Sequence, residues 1–146
     1  MSELDRLNAI TEKIIGAAIE VYRAIDPRVL ESAYEAFLAF ELRQRGLKVE
    51  QQKPLPVIYK DVKLDCGYQL DLVIEDSVVV EIKAVERLNS VHEAQLLSYL
   101  RLYGSRVGLL LNFHASILKH GIRRVVNKFP DSATSANSAV KSFSLN

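Results

Sequence analysis

The chain is predicted to fold as an α/β (α+β) domain, with a mixed central sheet flanked by helices in the order ααββββαββ. Three observations carry this prediction. Apolar residues recur at helical spacing up to about residue 45, period-two patterning dominates from residue 48, and a helix with start and stop signals separates the last strands.

In the first helix Leu4, Leu7, Thr11, Ile14, Ala18, Val21 and Ile25 recur at steps of three and four, laying one narrow stripe down a long helix that needs a partner. Asp26-Pro27 then punctuates the chain. Proline disfavours helix at the residue before it but fits the first position of a new one, so a second helix is expected from about 27 to 45 with Asp26 as its N-cap. Its apolar face includes Leu30, Tyr34, Phe37 and Leu38, and Gly46 is a natural stop.

From residue 48, VEQQK, PVIYK, VKLDCGYQLDLVIE and VVVEIKAV read as successive short strands of an antiparallel meander, with turns at Asp61 and Asp76-Ser77. SVHEAQLLSYLRLYG is then a helix with Ser90 and Glu93 as a capping box and Gly104 as terminator. RVGLLLNF has the length and apolarity of a strand covered on both faces, and GIRRVV supplies a last edge strand. No internal repeat is present. PDSATSANSAVKSFSLN is rich in Ser, Ala and Asn without apolar period, so one domain over residues 1–129 is expected, followed by a disordered tail from 130 to 146.

Composition narrows the function classes. At 146 residues, 49% hydrophobic and 25% charged, the chain matches an ordinary globular domain, and a formal net charge of +1 leaves any nucleic-acid face to local clustering. The single cysteine, Cys66, cannot form an internal disulfide and reads as a small strand residue. MSELDRLNAITEK lacks a signal-peptide pattern and no apolar run approaches the ~20 residues of a membrane span, so a cytoplasmic protein without a membrane partner is expected. A glycine-rich phosphate loop, zinc-ligand spacing and a Ser/His/Asp triad are all missing from the sequence, so P-loop hydrolysis, structural zinc and acyl transfer are unsupported.

The chemistry concentrates in DLVIEDSVVVEIK, residues 71–83, where Asp71, Glu81 and Lys83 interrupt an apolar hairpin. Burying such groups costs several kcal/mol unless they are paired or bind a metal. Strand alternation puts Glu81 and Lys83 on one face; Asp71 joins them only if residues of equal parity pair, which requires an odd loop such as 75–77 and excludes a two-residue turn. Two carboxylates suit a hard cation such as Mg²⁺, and a neighbouring lysine can orient water and neutralise charge on a phosphate. That set points to metal-assisted phosphodiester hydrolysis, although E-x-K spacing alone is a weak signal.

Two features extend the set. Glu31 lies three and seven residues before Tyr34 and Leu38, on the stripe of core-facing groups, while His92, Gln95 and Tyr99 form a polar and aromatic line suited to border a site. Each has a plainer reading: Glu31 as a first-turn acid favoured by the helix dipole, Tyr99 as core, His92 as a solvated residue. Arg101, Arg106, Lys119, His120, Arg123 and Arg124 gather in the second half as a candidate phosphate-contacting patch or an ordinary solvated surface.

Taken in order, Asp71-x9-Glu81-x-Lys83, the helical Glu31 and Gln95-x3-Tyr99 resemble the PD-(D/E)XK nuclease superfamily. More narrowly, IIGAAIEVYRAI, VLESAYEAFLAFELRQRGL, LDCGYQLDLVIED, VVVEIKAVERL and HEAQLLSYLRL resemble the small bacterial GxxExxxY proteins, over about residues 7–126. The resemblance implies a restriction-endonuclease-like αβββαβ core. It further implies Asp71 and Glu81 as ligands of Mg²⁺ or Mn²⁺, Lys83 assisting water, Glu31 completing or tuning the metal site, and Gln95 and Tyr99 touching substrate or bracing the centre. The sequence departs from that pattern at Asp26-Pro27-Arg28, where a glycine-flanked proline is expected, and at Tyr22, where a histidine is common. The leading expectation is a nuclease acting on nucleic acid, DNA before RNA, with a homodimer as one open assembly. The alternatives are a catalytically silent nucleic-acid-binding module and an interaction protein using the Leu4-to-Ile25 stripe.

Overall fold

The computed structural model describes residues 1–25 and 29–128; Asp26-Pro27-Arg28 and the expected tail lie outside the described residues. Three layers emerge. A five-stranded mixed sheet is covered on one face by two helices and on the other by one, with a two-stranded ribbon at the side.

Helix α1 (Glu3–Ala24) opens with Ser2 and Asp5 in a reciprocal capping box, and Leu7, Ile10, Ile14, Ala17, Ala18 and Val21 are buried against the sheet. Helix α2 (Glu31–Gln44) starts four residues later than the sequence suggests. Leu30 occupies the cap position without a side-chain hydrogen bond; the expected cap, Asp26, lies outside the described residues. Tyr34, Leu38 and Leu42 are its buried face, whereas Leu30 and Phe37 are exposed. Tyr34 stacks on Phe113 with ring centroids 4.6 Å apart. Gly46, at φ 80°, ends the helix, and the Leu47 N–H returns to the Leu42 carbonyl.

The strands are β1 (Val49–Pro54), β2 (Val57–Tyr59), β3 (Val62–Leu64), β4 (Gln69–Ile74), β5 (Val78–Lys83), β6 (Val107–Asn112) and β7 (Ile122–Val126). Their order in the sheet is β1-β4-β5-β6-β7, with β5 and β6 parallel and the other neighbours antiparallel. The expected meander is therefore corrected. Strand β1 pairs with β4, and β2 pairs only with β3 as a separate ribbon, because 62–75 is broken by the Asp65–Gly67 turn into an exposed half and a buried half.

Helix α3 (Ser90–Tyr103) is the crossover between parallel β5 and β6. Its cap is Asn89, one residue before the expected Ser90: the Asn89 side chain accepts from the amides of Val91 and His92, and His92 Nδ1 accepts from the Asn89 amide. Gly104 ends it in the left-handed region at φ 90°. Leu96 and Leu100 pack onto Gly108 of β6, where an added Cβ would fall 3.0–3.1 Å from their methyls. All six residues of β6 are buried, as expected of a strand covered on both faces, and β7 closes the edge.

Candidate active site

The β4–β5 hairpin sets the geometry. Ile74 pairs with Val78, Val73 with Val79 and Leu72 with Val80, leaving the three-residue loop 75–77 and placing Asp71 opposite Glu81. Glu75 and Asp76 take left-handed conformations at φ 53° and 55°. The loop is fastened from outside: the Lys48 amide donates to Glu75 Oε2 at 2.6 Å and Arg6 Nη2 to Ser77 Oγ at 2.7 Å.

Past Leu72 and Val80 the two acids take over from the ladder. The Asp71 amide donates to Glu81 Oε1 at 3.2 Å, and the Ile82 amide donates to Asp71 Oδ2 at 2.8 Å. Glu81 is only 6% exposed. Burial, followed by the adjacent Asp71 charge, pushes its carboxyl up to about 8, while Lys83 pulls weakly the other way. Two oxygen donors this close, one of them short of countercharge, are the donor chemistry that a divalent cation fits. Among the described residues no three His, Cys, Asp or Glu side chains converge as a metal-binding group, so Asp71 and Glu81 stand as a pair.

A third carboxylate adjoins this pair, and it is Glu35. Gln52, at φ 50° on β1, donates through Nε2 to Glu35 Oε1 at 2.5 Å and to Asp71 Oδ1 at 3.2 Å; Gln51 adds a bond to Glu35 at 3.3 Å. Burial raises the Glu35 carboxyl against the pull of those amides, and the charges of Asp71 and Glu31 raise it further. Glu31 itself is exposed at the first position of α2, a correction to its expected core-side placement. Side chains in a first turn lean back beyond the helix end and so past the core. Sequence reading missed Glu35, although Glu31-x3-Glu35 places both on one helix face a turn apart.

Lys83 ends β5 beside Asn112 of parallel β6. The buried Asn112 side chain bonds both the amide and the carbonyl of Val85, at 3.1 and 2.8 Å, fixing the chain that leaves Lys83. Across α3, Gln95 and Tyr99 line a cleft of about 390 Å³ together with Tyr68 and Ser98. The Tyr99 phenol is pushed up by burial and then by the charges of Glu81, Tyr68 and Asp71, so α3 reaches within electrostatic range of the acidic pair. His92 lends its Nδ1 to the helix cap.

Residues 8–125 match the profile of the PD-(D/E)XK nuclease superfamily. The chain belongs to this superfamily. The crystal structure of SSO0001 is similar in fold, with a TM-score of 0.52 at 16% identity over 97% of this chain and 69% of that one. No curated protein matches the sequence.

Other residues singled out in this PD-(D/E)XK chain have structural duties. Arg124 bonds Asn8 and Thr11 of α1, whereas Arg123 turns to Glu93 of α3, so these neighbours face opposite sides of β7 and do not form one basic patch. The Tyr22 hydroxyl lies 2.7 Å from the carbonyls of Ala115 and Ser116, tying α1 to the segment after β6. Cys66 is exposed in the β3–β4 connection rather than in a strand. No described helix is long and apolar enough to cross a membrane.

Proposed function

We propose that this protein is a Mg²⁺- or Mn²⁺-dependent nuclease, with DNA favoured over RNA, built on a single domain spanning residues 1–129 and working in the cytoplasm. The observation that carries the reading is the reciprocal Asp71–Glu81 arrangement at the end of the hairpin, with Lys83 two residues on. Within the superfamily, the quoted segments favour a place among the GxxExxxY proteins.

Asp71 and Glu81 would hold the cation. When bound, a divalent ion supplies a more acidic water and a polarised phosphodiester. Lys83 orients the attacking water and offsets negative charge building on the phosphate. Glu35 and Glu31 tune the local field from α2, and Gln95 and Tyr99, with His92 at the helix start, border the substrate. Hydrolysis adds water across one P–O bond and leaves a phosphate and a hydroxyl end.

The interaction reading has lost most of its motive, because Leu7, Thr11, Ile14, Ala18 and Val21 of the α1 stripe are buried and only Leu4, at its start, is exposed. Cleavage of end-labelled single- and double-stranded DNA and RNA in Mg²⁺ or Mn²⁺, by wild type and Lys83→Ala, tests the proposal. Wild-type cutting lost in the variant supports it; no cutting by either overturns it and leaves a silent binding module.

A further inference from the structure

We propose that the cleft between the β3–β4 connection and α3 is a nucleobase subsite, in which Tyr68 and Tyr99 receive one base of single-stranded DNA beside the acidic pair. The identity of the ligand rests on the nuclease reading; the subsite itself rests on its own geometry.

The cleft measures about 390 Å³, within the usual range of ligand pockets. Among the described residues its walls carry no formally charged side chain, unlike the neighbouring cavity that holds Lys53, Lys63 and Asp65. A phosphate gains nothing there. A heterocycle gains aromatic faces, aliphatic Val57 and Leu102, and the Gln95 amide and Ser98 hydroxyl for its polar edge. The two rings lie 5.9 Å apart at an angle of 56°, which makes a corner rather than a sandwich. A base therefore stacks on one ring with its edge against the other.

Tyr68 is 44% exposed, and the core does not require its ring. Its backbone is nevertheless fixed. The Tyr68 carbonyl accepts from the Leu55 amide at 2.9 Å, and the preceding Gly67, at φ 79°, donates to Asp65 Oδ1 at 2.9 Å. An exposed ring on a fastened backbone is a preorganised contact. Tyr99 supplies the link to chemistry, since it lines the cleft and lies in the field of Glu81 and Asp71. Bases in a duplex are stacked on their neighbours and reach such a corner only by extrusion, at a cost of a few kcal/mol. The cleft thus selects for single strands.

Cys66 lines the same cleft and is the only cysteine in the chain, so its alkylation rate reports occupancy independently of cleavage. The experiment measures that rate in Lys83→Ala protein with Mg²⁺, adding a short single-stranded DNA, an abasic strand of equal length, or a blunt duplex, with gels confirming intact strands. Only the base-bearing single strand is expected to slow alkylation severalfold. Tyr68→Leu should weaken single-strand affinity about tenfold while Tyr68→Phe retains it, as a stacking contact requires. Tyr59→Ala, on the exposed ribbon, should change nothing. Equal protection by the abasic strand or the duplex, or wild-type affinity in Tyr68→Leu, overturns the subsite. Wild-type cleavage is scored separately: cutting without Cys66 protection removes the subsite and leaves the nuclease reading, whereas protection without cutting does the reverse.

Discussion

Asp71 and Glu81 are laced together through backbone amides: Glu81 Oε1 accepts from the amide of Asp71, while Asp71 Oδ2 accepts from the amide that follows Glu81. The arrangement holds two carboxylates face to face on strands that are otherwise largely apolar. Its cost falls on Glu81, whose carboxyl is raised from 4.5 to about 8.

The sign of the resulting pH dependence is fixed. The folded state binds the Glu81 proton more tightly than the unfolded chain, so this contribution is fully present below about pH 4.5 and is lost as pH rises through about 8. A displacement of that size corresponds to roughly 5 kcal/mol. Thermal melts in chelator should show the metal-free protein losing stability between pH 5 and pH 8, and Glu81→Gln should flatten that fall. A wild-type profile as flat as that of the variant would show that Glu81 titrates normally.

Divalent cations should reverse the effect. Metal binding displaces the Glu81 proton, so Mg²⁺ should raise the melting temperature more at pH 8 than at pH 5. Stabilisation of about 2.7 kcal/mol is expected at a hundredfold excess over the dissociation constant. Asp71→Asn and Glu81→Gln should each abolish it, as read by scanning calorimetry with and without Mg²⁺.

Lys83→Ala should separate binding from chemistry. Loss of a group that positions water and offsets charge typically lowers turnover by about 10²- to 10⁴-fold. The Mg²⁺-induced rise in melting temperature should survive in the variant, since Lys83 is not a cation ligand. A parallel loss of both would make Lys83 a structural partner of Glu81.

Gln52 joins Glu35 to Asp71, and its removal should be felt as repulsion. Gln52→Ala is expected to destabilise the protein by about 1–2 kcal/mol at pH 7 and by less at pH 5, where the raised Glu35 carboxyl is more often protonated. Gln52→Gly suits φ 50° better, yet it loses the same bonds. Equal pH dependence in the two variants would assign the cost to the side chain.

Gly108→Val tests how closely α3 must sit. The new side chain meets Leu96 and Leu100, and overpacking of this kind costs about 1–3 kcal/mol. Because Gln95 and Tyr99 ride on the same helix, cleavage should fall further than the loss of folded protein explains.

The hairpin was legible because its parity is arithmetic: once Asp71 had to share a face with Glu81, only an odd loop sufficed, and 75–77 is that loop. The α1 stripe and the doubly covered β6 followed from periodicity for similar reasons. Long-range pairing was not legible. VEQQK and QLDLVI join across the β2–β3 ribbon, and no local pattern announces which strand skips its neighbour. Caps shifted by a residue or more because Asn89 and Ser90 are both competent, and because Asp26-Pro27 offered a stronger signal than the plain Leu30 that begins α2. Glu35 was missed since its meaning comes from Gln52, contributed by another element.

The odd loop has a consequence for how this chain can vary. Both faces of β4 and β5 are apolar, with Leu72, Ile74, Val78, Val80 and Ile82 toward α1 and α2, and Val73 and Val79 toward α3. A one-residue slip would exchange leucine for valine and leave a passable core, but it would send Asp71 and Glu81 to opposite sides. Residues 75–77 therefore act as a reading frame written in faces rather than codons. A chain that kept its loop length but paired one residue out of step would be a folded protein with its acids parted.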